Sequence, residues 1–532
     1  MMMASAECCN SVTIDGRTER VPSSPVDTMQ PNGPPHLHPP GHPAYAHQAV
    51  MMRTVVPTTP PTVPLTQTPR NLVVWRASTP WQTVRSMVGL VIVCFFIAQL
   101  AVLVVAGYID ADMNGTLGPS DPALTFVGGI CLSPMLMLFL FLRRPNLTHT
   151  IHAYPSASGS SLHALAGGQV VRSPQPTFVQ HHLFRSNAPL EMPRPKHLWL
   201  LFFVGVGAST LCLLPLLFVG VEWWTVLLAV AVVLPAWLVG FSTPVFAWWS
   251  ITSRHFGINI ARRDAEWMLV AGMLSTIPAI VINSLISPML ITPLGLDPYE
   301  SGTLGEGMVL FLSAPIGEEL CKLAAVLCLT RFITSPKYGF YVGSTVGLGF
   351  ALLENAQYIS MSLLGEYSSI TYFFTAMLRG LSSIPGHAMW TGLSGYAVGC
   401  WLAGRPHHPQ RQTRMQTPDQ NAEWVMYDKS GHPVGTSTWA TVPSDRLVRL
   451  LRRHEQHAWA MPTSVGAGLG LAMLGHGLWN GSSWGVALML SDNESLLALA
   501  LQLAWLAVMV AALWLCILRW LPTIVMGSKA SE

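Results

Sequence analysis

Apolar runs of twenty residues or more recur along this chain, separated by short polar breaks. Ten are long enough to span a bilayer: 87–109, 122–142, 198–219, 223–248, 267–295, 307–330, 339–364, 369–402, 460–491 and 496–518. A span needs about 20 such residues, and backbone groups in lipid must be paired within the segment, so each run predicts a helix. The expected fold is an all-α, polytopic membrane bundle of about ten transmembrane helices. Long polar segments interrupt it at 1–84, 143–197 and 403–459. The last of these contains SDRLVRLLRRHEQHAW, with Ser444 as N-cap and Leu447, Leu450 and Leu451 at helical spacing against Arg446, Arg449, Arg452 and Arg453. That pattern predicts a short amphipathic helix, lying either on the inner leaflet or on the protein's own cytoplasmic face.

Charge orients the spans. Of 29 Lys and Arg, 27 fall on one side when the runs alternate across the membrane, and the other two, Lys322 and Arg379, lie inside spans. The opposite loops carry only acids. This positive-inside bias predicts a multi-pass protein of the cell membrane with both termini in the cytoplasm. The net charge of +3 therefore reflects topology and gives no sign of a nucleic-acid partner. With 51% hydrophobic and 10% charged residues, the composition is that of a membrane protein whose constant partner is the lipid bilayer. The nine cysteines form no disulfide framework.

The organisation expected from these breaks is a disordered, Pro-rich cytoplasmic tail at 1–84 and an N-terminal transmembrane bundle at 85–295 with its loop 143–197. A core at 296–402 and 460–491 follows, interrupted by the cytoplasmic loop 403–459, and 492–532 supplies the last span and a short tail. The tail's His36, His38, His42 and His47 read as a flexible His/Pro tract.

Seven ionisable side chains interrupt the core spans: Glu318, Glu319 and Lys322 in GEELCKL, Glu354 in GLGFALLENAQY, Arg379 and His387 around a Pro-Gly step, and His476 in LGHGLWNGSSW. Charge at mid-membrane is expensive, so such residues commonly line a wet, functional cavity. Glu318 and Lys322 are four apart on one helix face, which lets one carboxylate pair with the lysine. Taken singly, each group also fits a structural role: an ion pair fixing helix packing, a proton-relay glutamate, a hydrogen-bonded His–Asn pair. By residue count, however, Glu318, Glu354, His387 and His476 all fall near the middle of their spans, although the helices run in alternating directions. That common depth predicts one shared site. Pro385 and Gly386 should break the helix just before His387.

The chemistry open to such a site is narrow. No Ser–His–Asp arrangement or catalytic cysteine is evident, and aspartate is absent from every span, against a two-aspartate protease. Glutamate and histidine together can activate water, or bind zinc in a three-ligand site with an open position. A proton-coupled transporter or a catalytically silent scaffold remains the alternative, although no internal repeat with matching broken helices is evident.

The motifs Glu318-Glu319-x-x-Lys322, Phe350-x-x-x-Glu354-Asn355, His387-x-x-x-Thr391 and His476-x-x-x-Asn480, in this order on consecutive spans, resemble the PrsW family of intramembrane proteases, related to the CAAX prenyl endopeptidases and bacteriocin-immunity proteins. The resemblance covers about 300–490. It implies a multi-pass peptidase that cuts membrane-embedded protein substrates, with Glu318, Glu319, His387, His476 and Asn480 as catalytic residues. It also implies Zn2+ held by Glu354, His387 and His476, with Glu318 or Glu319 as base. A metal-free route stays open, in which Glu319 with His387 activates water while His476 and Asn480 stabilise the oxyanion. Glu354 stands where the prenyl-peptidase branch has histidine, which weighs against CAAX processing.

Overall fold

The computed structural model describes residues 63–64, 80–112, 114–143, 147–164, 170–185, 190–214, 223–258, 260–364, 368–404, 426–427, 433–434, 444–490 and 495–527. The His/Pro tract, Cys8, Cys9 and most of the 403–459 loop lie outside these. The chain divides into two compact units. In the smaller, β2 (Leu147–Ala164) pairs antiparallel with β3 (Val170–Arg185), from Leu147 opposite Arg185 to Ala164 opposite Val170, and β1 (Val63–Pro64) runs parallel to β2. Two short strands, β4 (Met426–Tyr427) and β5 (Pro433–Val434), form a second pair. The segment 143–197, read as a polar loop, thus holds a long β-hairpin.

The larger unit is helical throughout. Its first helices are α1 (Pro80–Ile109), α2 (Pro122–Leu142), α3 (Pro195–Leu213), α4 (Trp223–His255) and α5 (Arg262–Val281). The chain continues from α5 through a π turn into α6 (Ser287–Ile291). Then come α7 (Leu304–Met308), α8 (Ala314–Cys328), α9 (Pro336–Leu364), α10 (Ser368–Leu378), α11 (Ile384–Ala403), α12 (Asp445–Arg452), α13 (Val465–Met489) and α14 (Leu496–Met526). Among the described residues, six helical stretches are long and apolar enough to cross a membrane: Pro80–Ile109, Pro122–Leu142, Pro195–Leu213, Ala231–His255, Arg262–Leu294 and Leu496–Met526. The other four runs fall on α7–α8, α9, α10–α11 and α13, where glycines and ionisable residues dilute the apolar pattern. On α2, Phe126, Met137 and Leu140 are about two-thirds exposed, as expected for side chains that face lipid tails. The protein is an integral membrane protein.

The core is centred on α9, which is buried along most of its length. Glycines make that possible. Gly339, Gly343 and Gly347, one per turn, face the carbonyls of Gly395, Thr391 and His387 on antiparallel α11, close enough that any Cβ would strike the partner backbone. Gly349 meets the Leu269 carbonyl of α5 in the same way. Small residues let helix backbones approach in lipid, where no hydrophobic drive separates protein from solvent. Backbone proximity, in turn, draws the polar side chains of α8, α9 and α11 together.

Three π turns, Ile282–Ile286, Val309–Ser313 and Arg379–Ser383, share one cause. Each ends two residues before a proline: Pro288, Pro315 and Pro385. Proline has no N–H, and its ring clashes with the carbonyl four residues back, so the ladder widens there. Ser287, Ala314 and Ile384 each donate to the carbonyl five residues earlier. The break expected before His387 is the third of these turns.

The amphipathic helix is α12. Leu451 is buried, Arg446, Arg449, Arg452 and the C-cap Arg453 are exposed, and the Ser444 backbone N–H donates to the His255 carbonyl at 3.0 Å. This helix packs on the protein's own surface.

Candidate functional site

Glu318, Glu319 and Lys322 project from consecutive turns of α8, Glu354 from α9, His387 from α11 and His476 from α13. The side chains meet. Lys322 Nζ donates to Glu319 Oε1 at 2.8 Å, to Glu318 Oε2 at 3.2 Å and to His387 Nδ1 at 2.9 Å. The sequence suggested one carboxylate on the lysine and one apart; Lys322 holds both.

The network fixes the imidazoles. An ammonium has only donors, so His387 Nδ1 accepts from Lys322 and the ring proton sits on Nε2. That Nε2 lies 2.7 Å from Glu354 Oε2, which also pairs with Arg379 Nη2 at 2.7 Å. Arg379 is held in turn by the Asn355 carbonyl oxygen and by the face of Tyr358, 3.9 Å away. His476 Nδ1 donates to Glu319 Oε1 at 3.1 Å, so its Nε2 carries the lone pair, 3.8 Å from Glu318 Oε2. Each histidine therefore has its own orienting carboxylate: Glu354 for His387 and Glu319 for His476. Thr391, one turn beyond His387, donates to Glu319 Oε2 at 3.4 Å.

Aromatic rings seal the cluster. Trp390 stacks on His476 with centroids 4.8 Å apart and planes 13° apart, and Phe350 lies 3.9 Å from Lys322 Nζ. His387 and His476 meet edge to face at 5.0 Å. The Glu319 side chain is fully buried, that of Glu318 is 9% exposed and that of Glu354 20%, so the cluster opens both at Glu318 and at Glu354. Beside Glu318, a mostly apolar cavity of about 460 Å³ runs between Ile282–Ile291 and Met308–Leu320, with Gly317 in its wall.

All seven ionisable residues singled out in the sequence come together: Glu318, Glu319, Lys322, Glu354, Arg379, His387 and His476. Asn480, one turn from His476, is half-buried and makes no side-chain hydrogen bond among the described residues. Asn283 was not foreseen. It lies in the first π turn, donates to Glu318 Oε1 at 3.2 Å, and its own carbonyl oxygen is buried without a partner among the described residues. Trp390 was also missed. A polar residue beside a predicted π turn, and an aromatic three residues from an intramembrane histidine, are the signals that could have found them.

The donor set was tested against a metal. Among the described residues, Glu318, His387 and His476 form the group whose ligand atoms lie close, all within 4.8 Å of one another. Ligands about 2.1 Å from one ion sit roughly 3.4 Å apart, so the trio fits after a small contraction, and a Glu/His/His set suits zinc. Glu354, expected among the ligands, is instead bound to Arg379 and to the outer nitrogen of His387. That is the usual place of a carboxylate that orients a metal-binding histidine.

Residues 263–418 match the family model described as PrsW family intramembrane metalloprotease. The match supports a membrane-embedded hydrolase of the protease class. It takes in the elements that carry Asn283, Glu318, Glu319, Lys322, Glu354, Arg379 and His387, and stops short of His476. No curated protein and no solved structure matches the chain.

Proposed function

We propose that this protein is an intramembrane endopeptidase of the PrsW type, built on ten spans with both termini in the cytoplasm, that hydrolyses peptide bonds of membrane-embedded protein substrates. The observation that carries this reading is the convergence of three carboxylates and two imidazoles from four helices in one buried network, with the Lys322 ammonium bonded to Glu318, Glu319 and His387. Such a set is costly in lipid and is retained where it does work.

Glu318, His387 and His476 would hold a divalent metal, with zinc the best match to the donors. When bound, it supplies Lewis acidity that polarises a carbonyl and acidifies water. Glu319, beside the opening at Glu318, takes the proton of the attacking water and passes it to the leaving nitrogen. Its bond to His476 Nδ1 keeps Nε2 turned toward the reaction. Glu354 keeps the Nε2–H of His387 engaged, which leaves Nδ1 facing inward. Asn480 has an uncommitted amide one turn from His476 and can donate to the oxyanion, a contribution of about 3–4 kcal/mol for one such donor. The same residues serve a metal-free route, with Glu319 and His387 activating water. The apolar cavity with Gly317 in its wall would receive a membrane-spanning segment next to the turn of α8 that carries Glu318.

The test is a comparison of membranes from cells expressing the wild type or His476→Ala, read by mass spectrometry of new protein N-termini. Cleavage sites within or next to spans of other membrane proteins should appear with the wild type alone. Identical termini in both samples, with proton flux in liposomes bearing the purified protein, would favour the transporter instead.

Arg379 should matter without touching substrate. Arg379→Met removes the cation that fixes Glu354, and cleavage should fall about 10–100-fold, the range for groups that orient a metal-binding histidine. Arg379→Lys should restore part of it. Equal rates for the methionine variant and wild type would detach Arg379 from His387 positioning.

A further inference from the structure

We infer that the Lys322 ammonium is the resident cation of this centre and competes directly with a divalent metal for Glu318 and His387. The inference rests on the metal-donor reading of the trio given above.

Lys322 is fully buried, and its three protons have three acceptors: Glu319 Oε1, Glu318 Oε2 and His387 Nδ1. An ammonium has three donors and no more, so its hydrogen-bonding capacity is filled by this cluster. Two of those acceptors belong to the trio that fits a metal. His387 has no second lone pair to offer, because with Nδ1 accepting from Lys322 the ring proton is on Nε2, which lies 2.7 Å from Glu354 Oε2. Glu318 is engaged at both oxygens, by Asn283 and by Lys322. Only His476 Nε2 faces the trio uncommitted. A metal that uses His387 must therefore take the lone pair that the ammonium now holds, and at Glu318 it must share a carboxylate with it.

Charge points the same way. Three carboxylates face two fixed cations, Lys322 and Arg379, so these five groups together carry one negative charge. Adding a divalent ion to the intact cluster leaves a buried excess of positive charge. Adding it after the ammonium is removed leaves none, and an uncompensated buried charge is strongly unfavourable. A lysine that served only to pack α8 would not set metal affinity at all.

Co2+ is a suitable probe, because its visible absorption reports coordination directly. The purified full-length wild type, Lys322→Met and Lys322→Arg are titrated with Co2+ in detergent, with equilibrium dialysis for stoichiometry and thermal unfolding to establish that each is folded. Methionine keeps the length and loses the charge. Lys322→Met should bind one Co2+ at least tenfold more tightly than the wild type, while Lys322→Arg binds no more tightly. A folded Lys322→Met that binds no better than the wild type overturns the inference. The wild-type titration can overturn it alone: tight, stoichiometric Co2+ binding that His476→Ala abolishes would mean that Lys322 is no competitor, even if the methionine variant fails to fold. Proteolysis is not read in this experiment, so failure of the peptidase assignment and failure of the competition are separate outcomes.

Discussion

Glu319→Gln abolishes cleavage, with an expected loss of about a thousandfold, within the range for removing a positioned general base. The carboxylate receives Lys322, His476 and Thr391 and has no exposed surface, so its environment is set entirely by the protein. Glutamine matches its volume but cannot accept a proton. Its amide can also present a donor to His476 Nδ1, which would reverse the tautomer and put a proton on Nε2 in place of the lone pair that now faces Glu318. Removing one partner of a buried ion pair costs about 3–5 kcal/mol when the other is left alone. Here Lys322 keeps Glu318 and His387, so the stability loss should fall below that range and the variant should still fold and insert. The measurement pairs cleavage of a substrate identified by its new N-terminus with thermal unfolding in detergent. Activity within tenfold of wild type in a folded Glu319→Gln protein would remove this residue from the chemistry.

The second large effect is expected at a position with no chemistry of its own. Gly347→Leu puts a branched side chain against the His387 carbonyl across the α9–α11 contact. Overpacking of this kind costs about 1–3 kcal/mol. The activity loss should exceed what stability explains, because relief of the clash moves α11 and carries His387 with it. A misplacement of about 1 Å at a reacting group costs roughly a hundredfold. Gly466→Leu is the control: the same change on α13, where an added Cβ meets nothing within 4 Å. If the two variants unfold and cleave alike, the close α9–α11 approach does not position the site.

The candidate site was legible because its members break the strongest rule of their surroundings. A carboxylate or imidazole in an apolar run is conspicuous, and equal depth in four runs already joins Glu318, Glu354, His387 and His476. Which atoms would face one another was not legible. Depth places a residue along the membrane normal and leaves its azimuth open, so Glu354 and Glu318 could not be told apart as ligand and orienter. Asn283 was hidden because one amide in an apolar run is unremarkable. Trp390 was hidden because tryptophan in a membrane helix needs no special reason. The hairpin of β2 and β3 was missed because Pro155, Pro174 and Pro176 lie within it, and proline argues against a strand. The helices of the core were foreseen from hydropathy, but their closeness was not. It follows from glycines whose one-per-turn spacing on α9 becomes meaningful only when α11 is known to be the partner.

The three proline-associated turns carry a consequence for how this chain tolerates insertions and deletions. A π turn is an α-helix with one residue too many. Deleting a single residue from Arg379–Ser383 would let the ladder close normally and would leave the downstream residues nearly in phase, because the widened turn is what absorbs the extra residue. The hydropathy profile would hardly change, and the chain would still insert. His387 would keep nearly its present direction, whereas the same one-codon loss between Gly347 and Glu354 of α9, which has no such turn, would swing Glu354 about 100° out of the cluster and should yield an inert protein whose sequence still looks intact.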